Sequence, residues 1–235
     1  MISDVNSYQQ HLVGFCSILS QKLRNYRDAE RRLDRFLSTG FNVFRLIQPD
    51  ENLLSDIIAD LLDPAGSHGQ ECAFLNSFLN LVEQHELLGR RPTAVVREGA
   101  TGYIERSYRR IDVTLDFGDF GLGIENKPWA GDQPEQLNDY HSDFTKKYDT
   151  RFCLVYITPN GRRPSSMADP LIEDLIRNHR LRLVSYRPDL EQWLQTCCQL
   201  CSSDKFRWFL RDFADHIVER FPISPIMGAN DDRIE

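Results

Sequence analysis

The sequence predicts an α/β fold in which a mixed sheet of four to five strands carries helices on both faces. Three observations predict it. Residues 109–127, RRIDVTLDFGDFGLGIENK, are two short alternating apolar runs broken by the turn FGDFG, the pattern of a hairpin. Residues 152–157, FCLVYI, form a continuous apolar run that suits a central strand buried on both sides. Segments with helical spacing of apolar residues lie before, between and after these strands, so both sheet faces have helices to cover them.

The elements follow in order. Residues 7–37 alternate apolar and charged positions at helical spacing, and Ser38-Thr39-Gly40 ends that helix. Pro49 and Asp50 start a second helix with Asp50 as N-cap, and Pro64 stops it after Leu62. The loop Gly66-Ser67-His68-Gly69 leads to a helix over 71–88. Strands are expected at 93–98, 109–117 and 120–127, the last two joined by a tight turn at Gly118-Asp119. A helix over 133–147 carries the chain to the strand at 152–157 through a right-handed crossover. A helix at 168–179, a strand at 181–186 and helices at 188–200 and 203–220 complete the ordered part. The division expected is a helical segment over 1–40, a main domain over 41–222 and a tail over 223–235, SPIMGANDDRIE being its polar end.

Bulk properties narrow the class. Hydrophobic residues make up 41% of 235, enough for a real core, and no apolar run reaches membrane-spanning length. MISDVNSYQQHLVGFCSIL has no basic leader before its apolar stretch, which argues against a secretory signal. The six cysteines, Cys16, Cys72, Cys153, Cys197, Cys198 and Cys201, read as reduced thiols of a cytoplasmic protein. Cys197 and Cys201 share a helical face, but no second pair with zinc-like spacing lies nearby, so they read as small apolar helix residues. A net charge of −7 argues mildly against nucleic-acid binding, but metal-binding carboxylates raise the acidic count and their cations offset it. Basic residues also cluster, at Arg106, Arg109 and Arg110 and again at Arg162 and Arg163.

The hairpin carries the chemistry. Side chains at i and i+2 of a strand share a face, so Glu125 and Lys127 project together above Gly121 and Gly123, while Phe120, Leu122 and Ile124 enter the core. The turn brings Asp112 to the same place. Two carboxylates beside an ammonium make a poor core, because buried charges must be paired or metal-bound. They make a good seat for a divalent cation held against a phosphate. Oxygen ligands suit Mg²⁺ or Mn²⁺.

With Asp112 as first acid and Glu125-Asn126-Lys127 as a (D/E)-x-K tripeptide, the hairpin resembles the PD-(D/E)XK nuclease superfamily. Gln136-Leu137-Asn138-Asp139-Tyr140 matches the Q-h-x-x-Y helix of its RecB-like branch, and residues 51–79, ENLLSDIIADLLDPAGSHGQECAFLNSFL, look like the front of a bacterial branch. The resemblance covers roughly residues 45–160. Ile111 stands where the superfamily's name has proline.

The resemblance implies a restriction-endonuclease-like core with helical additions at both ends. It implies a divalent-metal-dependent hydrolase of phosphodiesters, with DNA favoured and a prokaryotic, antiviral-defence setting. Asp112, Glu125, the Asn126 carbonyl and Glu51 on the preceding helix are the expected metal ligands. Lys127 orients the attacking water. Gln136 and Tyr140, at i and i+4, project together toward a ligand or a phosphate. Gln133, His68, Arg109 and Arg110 are the expected substrate contacts, with a role in capping its own loop equally open for His68. A homodimer and a targeting partner protein are the other partners to look for, because no separate recognition segment is evident. Two alternatives stand beside this reading: a site-specific restriction endonuclease dimer, and a catalytically silent nucleic-acid-binding module on the same fold. Three convergent charged residues argue against the silent module.

Overall fold

The computed structural model describes residues 2–38, 40–100 and 110–223. The chain divides into two compact units at the Asn42–Val43 boundary. The first consists mainly of one long helix, α1 (Ile2–Leu37).

The second unit holds the sheet. A short helix, α2 (Val43–Ile47), precedes α3 (Glu51–Leu62), whose N-cap is Asp50: its carboxylate accepts from Leu53 N at 2.8 Å. The helix expected over 71–88 is shorter in the structure. It is α4 (Ala73–Leu81), and Glu83 turns the chain out of it at φ +55° before a single 3₁₀ turn at His85–Leu87. The strands are β1 (Ala94–Ala100), β2 (Arg110–Asp116), β3 (Gly121–Asn126), β4 (Phe152–Thr158) and β5 (Leu181–Ser185). Between and after them lie α5 (Gln136–Tyr148), α6 (Asp169–Arg177), α7 (Glu191–Leu200) and α8 (Asp204–Arg220).

The sheet order follows the sequence, β1-β2-β3-β4-β5. The first three strands are antiparallel, and β3, β4 and β5 run parallel. This is the mixed sheet the sequence predicts, with β4 interior. Each parallel step needs a crossover, supplied by α5 and α6.

Alternation along the strands builds two cores. Cys153, Val155 and Ile157 of β4, with Val113, Leu115, Leu122 and Ile124, face α3, α4, α7 and α8. Phe152, Leu154 and Tyr156 of β4 face α5 and α6. That is why FCLVYI has no polar position: β4 is buried on both faces. Among the described residues no helix is long and apolar enough to cross a membrane.

Gly121 and Gly123 are demanded by packing. A Cβ on Gly121 would lie 2.2 Å from the Tyr148 ring, and one on Gly123 would lie 2.7 Å from Phe144 and 2.6 Å from Ile111. The bare face of β3 lets α5 settle close, and this brings the first turn of α5 over Glu125.

Candidate active site

β2 and β3 pair in a register that matches Val113 with Ile124, so Asp112 and Glu125 are the next residues along each strand. The Asp112 carboxylate is tied to β3: Asn126 N–H donates to Asp112 Oδ2 at 2.7 Å. Lys127 follows the end of β3, where its own N–H donates to Ile157 O at 2.8 Å and continues the parallel ladder. Asp112, Glu125 and Lys127 thus converge.

Glu125 is 2% exposed and Lys127 8%. The Lys127 ammonium lies 2.7 Å from Glu125 Oε1 and 3.2 Å from Glu51 Oε1, so it bridges α3 and β3. Burial opposes that charge, but Glu125, Glu51 and Asp112 outweigh it and hold the Lys127 pKa above its ordinary value. Burial, then the like charge of Asp112, pushes Glu125 up to about 7 despite the lysine. Burial also raises Asp112, against the pull of the Asn126 N–H and Lys127.

α5 reaches the site from the other face. Gln136 Nε2 donates to Glu125 Oε1 at 2.7 Å and lies 3.0 Å from Tyr140 Oη. The Tyr140 hydroxyl donates to Arg110 O at 2.8 Å, and the residue is wholly buried. Gln136 therefore bridges to a metal-ligand candidate rather than to a phosphate. Tyr140 serves as a pin between α5 and β2, not as a substrate donor.

Several partners were not legible in the sequence. Ser55 Oγ accepts from Asn126 Nδ2 at 2.9 Å, and Tyr186, buried after β5, donates to Asn126 Oδ1 at 2.8 Å. Asn126 is thus clamped by its side chain from two elements. Arg97 on β1 donates to Asp112 O at 2.5 Å while its Nε pairs with Asp56 of α3 at 2.5 Å. No short-range pattern signals contacts that span tens of residues.

The remaining expected contacts fall elsewhere. His68 is buried; its Nδ1 accepts from Gln70 N and its Nε2 lies 2.9 Å from Asp63 O, so the ring clamps its own loop. Arg110 points its guanidinium at Glu98, 2.8 Å away. Gln133 is exposed, and its N–H donates to Gln136 Oε1 at 3.4 Å. Arg109 lies outside the described residues.

The site fits a small divalent cation. Glu125 Oε2 is buried and has no hydrogen-bond partner, beside a second carboxylate whose pKa is also raised. A cation would satisfy that oxygen and relieve both. Among the described residues no group of three or more His, Cys, Asp or Glu side chains is gathered as a ready metal cage. Two carboxylates are the donor number that Mg²⁺ takes from protein while keeping several waters.

Residues 41–215, about three quarters of the chain, match the family model of the PD-(D/E)XK nuclease superfamily, and the match includes every site residue from Glu51 to Tyr140. No curated protein and no solved structure gives a match. The sheet, the paired acids, the lysine and the family match agree: the chain belongs to the PD-(D/E)XK nuclease superfamily.

Proposed function

We propose that the protein is a divalent-metal-dependent nuclease that hydrolyses phosphodiester bonds, with DNA as the substrate. The observation that carries this reading is the buried, unpartnered Oε2 of Glu125 next to Asp112 and Lys127. A silent binding module gains nothing from two buried carboxylates that share one lysine, an arrangement that costs stability until a cation arrives.

Asp112 and Glu125 would hold the cation, with the Asn126 carbonyl as a further oxygen donor. When bound, Mg²⁺ or Mn²⁺ supplies positive charge to the phosphoryl oxygens and lowers the pKa of water. Gln136 occupies Oε1 of Glu125 and so leaves Oε2 as the ligand atom. Lys127 stays protonated, fixed by Glu51 and Glu125, and presents its charge where negative charge grows on phosphorus. In this geometry Glu51 positions Lys127 through Oε1, and a ligand role for Glu51 would fall to its other carboxylate oxygen. The Gln136–Tyr140 arrangement supports the RecB-like branch, and with it a prokaryotic defence role. The exposed apolar stripe of α1 supports a homodimer.

The test is incubation of the pure protein with linear, circular and single-stranded DNA, and with RNA, in Mg²⁺ or Mn²⁺. Cleavage of DNA that stops in excess EDTA is expected. Undiminished cleavage in EDTA, or no cleavage of any substrate, contradicts the reading.

A further inference from the structure

After Lys127 the chain leaves the sheet and opens a cleft of about 800 Å³ at the C-terminal ends of β3, β4 and β5. Lys127, Arg162, Arg187 and Arg220 line it, together with Trp129 and Phe221. Arg162 and Arg187 are held by Asp132 and Glu191, so their guanidinium groups are fixed as parts of the wall. The Arg220 guanidinium lies 5.5 Å from the centre of the Trp129 ring, and an aromatic face does not neutralise its charge.

Trp129 is 46% exposed, unusual for so large an apolar side chain. It is also supported. Its ring stacks on Phe221 at 6.0 Å and 22°, and Phe221 stacks on the buried Tyr186 at 4.2 Å and 26°. Tyr186 in turn donates to Asn126, between Glu125 and Lys127. A column of rings therefore runs from the catalytic tripeptide to an exposed indole.

An aromatic platform beside an arginine is a means of holding single-stranded nucleic acid: charge meets the backbone and rings stack on bases. The cleft has the size of a small-ligand pocket, which takes a nucleotide or two and not a duplex. We propose that this cleft is a subsite for unpaired nucleotides of the strand being cut, with Arg220 on the phosphates and a base stacked at Trp129. This rests on the nuclease reading and adds a preference: single strands, or duplex ends that fray, over closed duplex.

The test is fluorescence anisotropy of labelled oligo(dT) and of a blunt duplex of equal length with the full chain in EDTA. Wild type is expected to bind the single strand more tightly than the duplex. Trp129→Ala should weaken single-strand binding by about 5- to 150-fold, as loss of one stacked base does, and Trp129→Phe should retain most of it. Arg220→Gln should weaken binding and flatten its salt dependence, by about 0.7 in the log–log slope for one lost phosphate contact. Arg151→Gln, at the other end of β3 and β4, is the control and should bind as wild type does. Equal binding of single strand and duplex, or Trp129→Ala within about twofold of wild type on a scale where one stacked base is worth more, overturns the proposal. The assay needs no turnover. A chain that binds through Trp129 but cuts nothing upholds the cleft and refutes the nuclease reading. A chain that cuts DNA with Trp129→Ala binding unchanged does the reverse.

Discussion

In the proposed metal site, Gln136 decides which oxygen of Glu125 is left for a cation. Its amide takes Oε1 and is itself held by Tyr140, whose hydroxyl is pinned to β2. Partners that orient a metal ligand in this way typically contribute about 10- to 100-fold in affinity. Gln136→Ala should therefore lower Mn²⁺ affinity by that factor in calorimetric titration, and Tyr140→Phe by less, since it removes only the pin. The same titration carries a pH signature. Glu125 is pushed up to about 7 without a cation, and the cation binds its ionised form, so affinity should climb as pH rises through about 7 and protons should be released on binding. Flat affinity across that range, or a Gln136→Ala variant that binds normally, would remove Gln136 and Glu125 from the metal site. At this scale the sequence showed the acids and the lysine, because period-two alternation fixes faces. It did not show that Tyr140 spends its hydroxyl inside the protein, and it left His68 open between a substrate contact and the clamp on its own loop that the structure has. A tyrosine at i+4 from a glutamine reads the same whether its hydroxyl meets a phosphate or the carbonyl of Arg110.

At the scale of elements, β3 is the organiser. Its apolar side chains enter one core, and its glycines admit α5 on the other face. Gly123→Ala places a methyl group 2.6 Å from Ile111 and 2.7 Å from Phe144, in a packed layer. Overpacking of this kind costs about 1–3 kcal/mol. Chemical denaturation should show that loss, with weaker Mn²⁺ binding because α5, and Gln136 with it, is pushed outward. Unchanged stability would mean that the layer is looser than the distances say. The strands and most helices were legible, since each has its own periodicity and its own stop. The break of the helix expected over 71–88 was not. It rests on Glu83 in a left-handed conformation that glycine or asparagine would have announced. The short α2 escaped notice because five residues show too little periodicity. The ties of Arg97 and Tyr186 to the site depend on sheet order, which exists only once the chain has folded.

For the whole molecule, α1 raises the question of assembly. Leu12, Leu19, Tyr26 and Leu33 recur every seventh residue, Phe15 and Phe36 take the complementary positions, and all six are exposed. A strict seven-residue repeat suits a helix that pairs with another helix. A second copy of the chain is the simplest partner, as two-fold dimers are the commonest assembly. Light scattering at micromolar concentration should give the mass of a dimer, and Leu19→Glu with Tyr26→Glu should give a monomer. A monomeric wild type refutes pairing through α1 and leaves the proposed active site untouched.

The central claim is that Asp112 and Glu125 hold a divalent cation while Lys127 acts in the chemistry without binding it. Mn²⁺ titration by calorimetry, run beside plasmid cleavage on wild type, Asp112→Asn and Lys127→Ala, separates the two roles. An ammonium has no acceptor, so Lys127→Ala should keep the cation site, bind slightly tighter for the loss of a like charge, and cleave nothing. Asp112→Asn should lose both binding and cleavage. Cleavage by Lys127→Ala at near wild-type rate, or full Mn²⁺ binding by Asp112→Asn, would contradict the account.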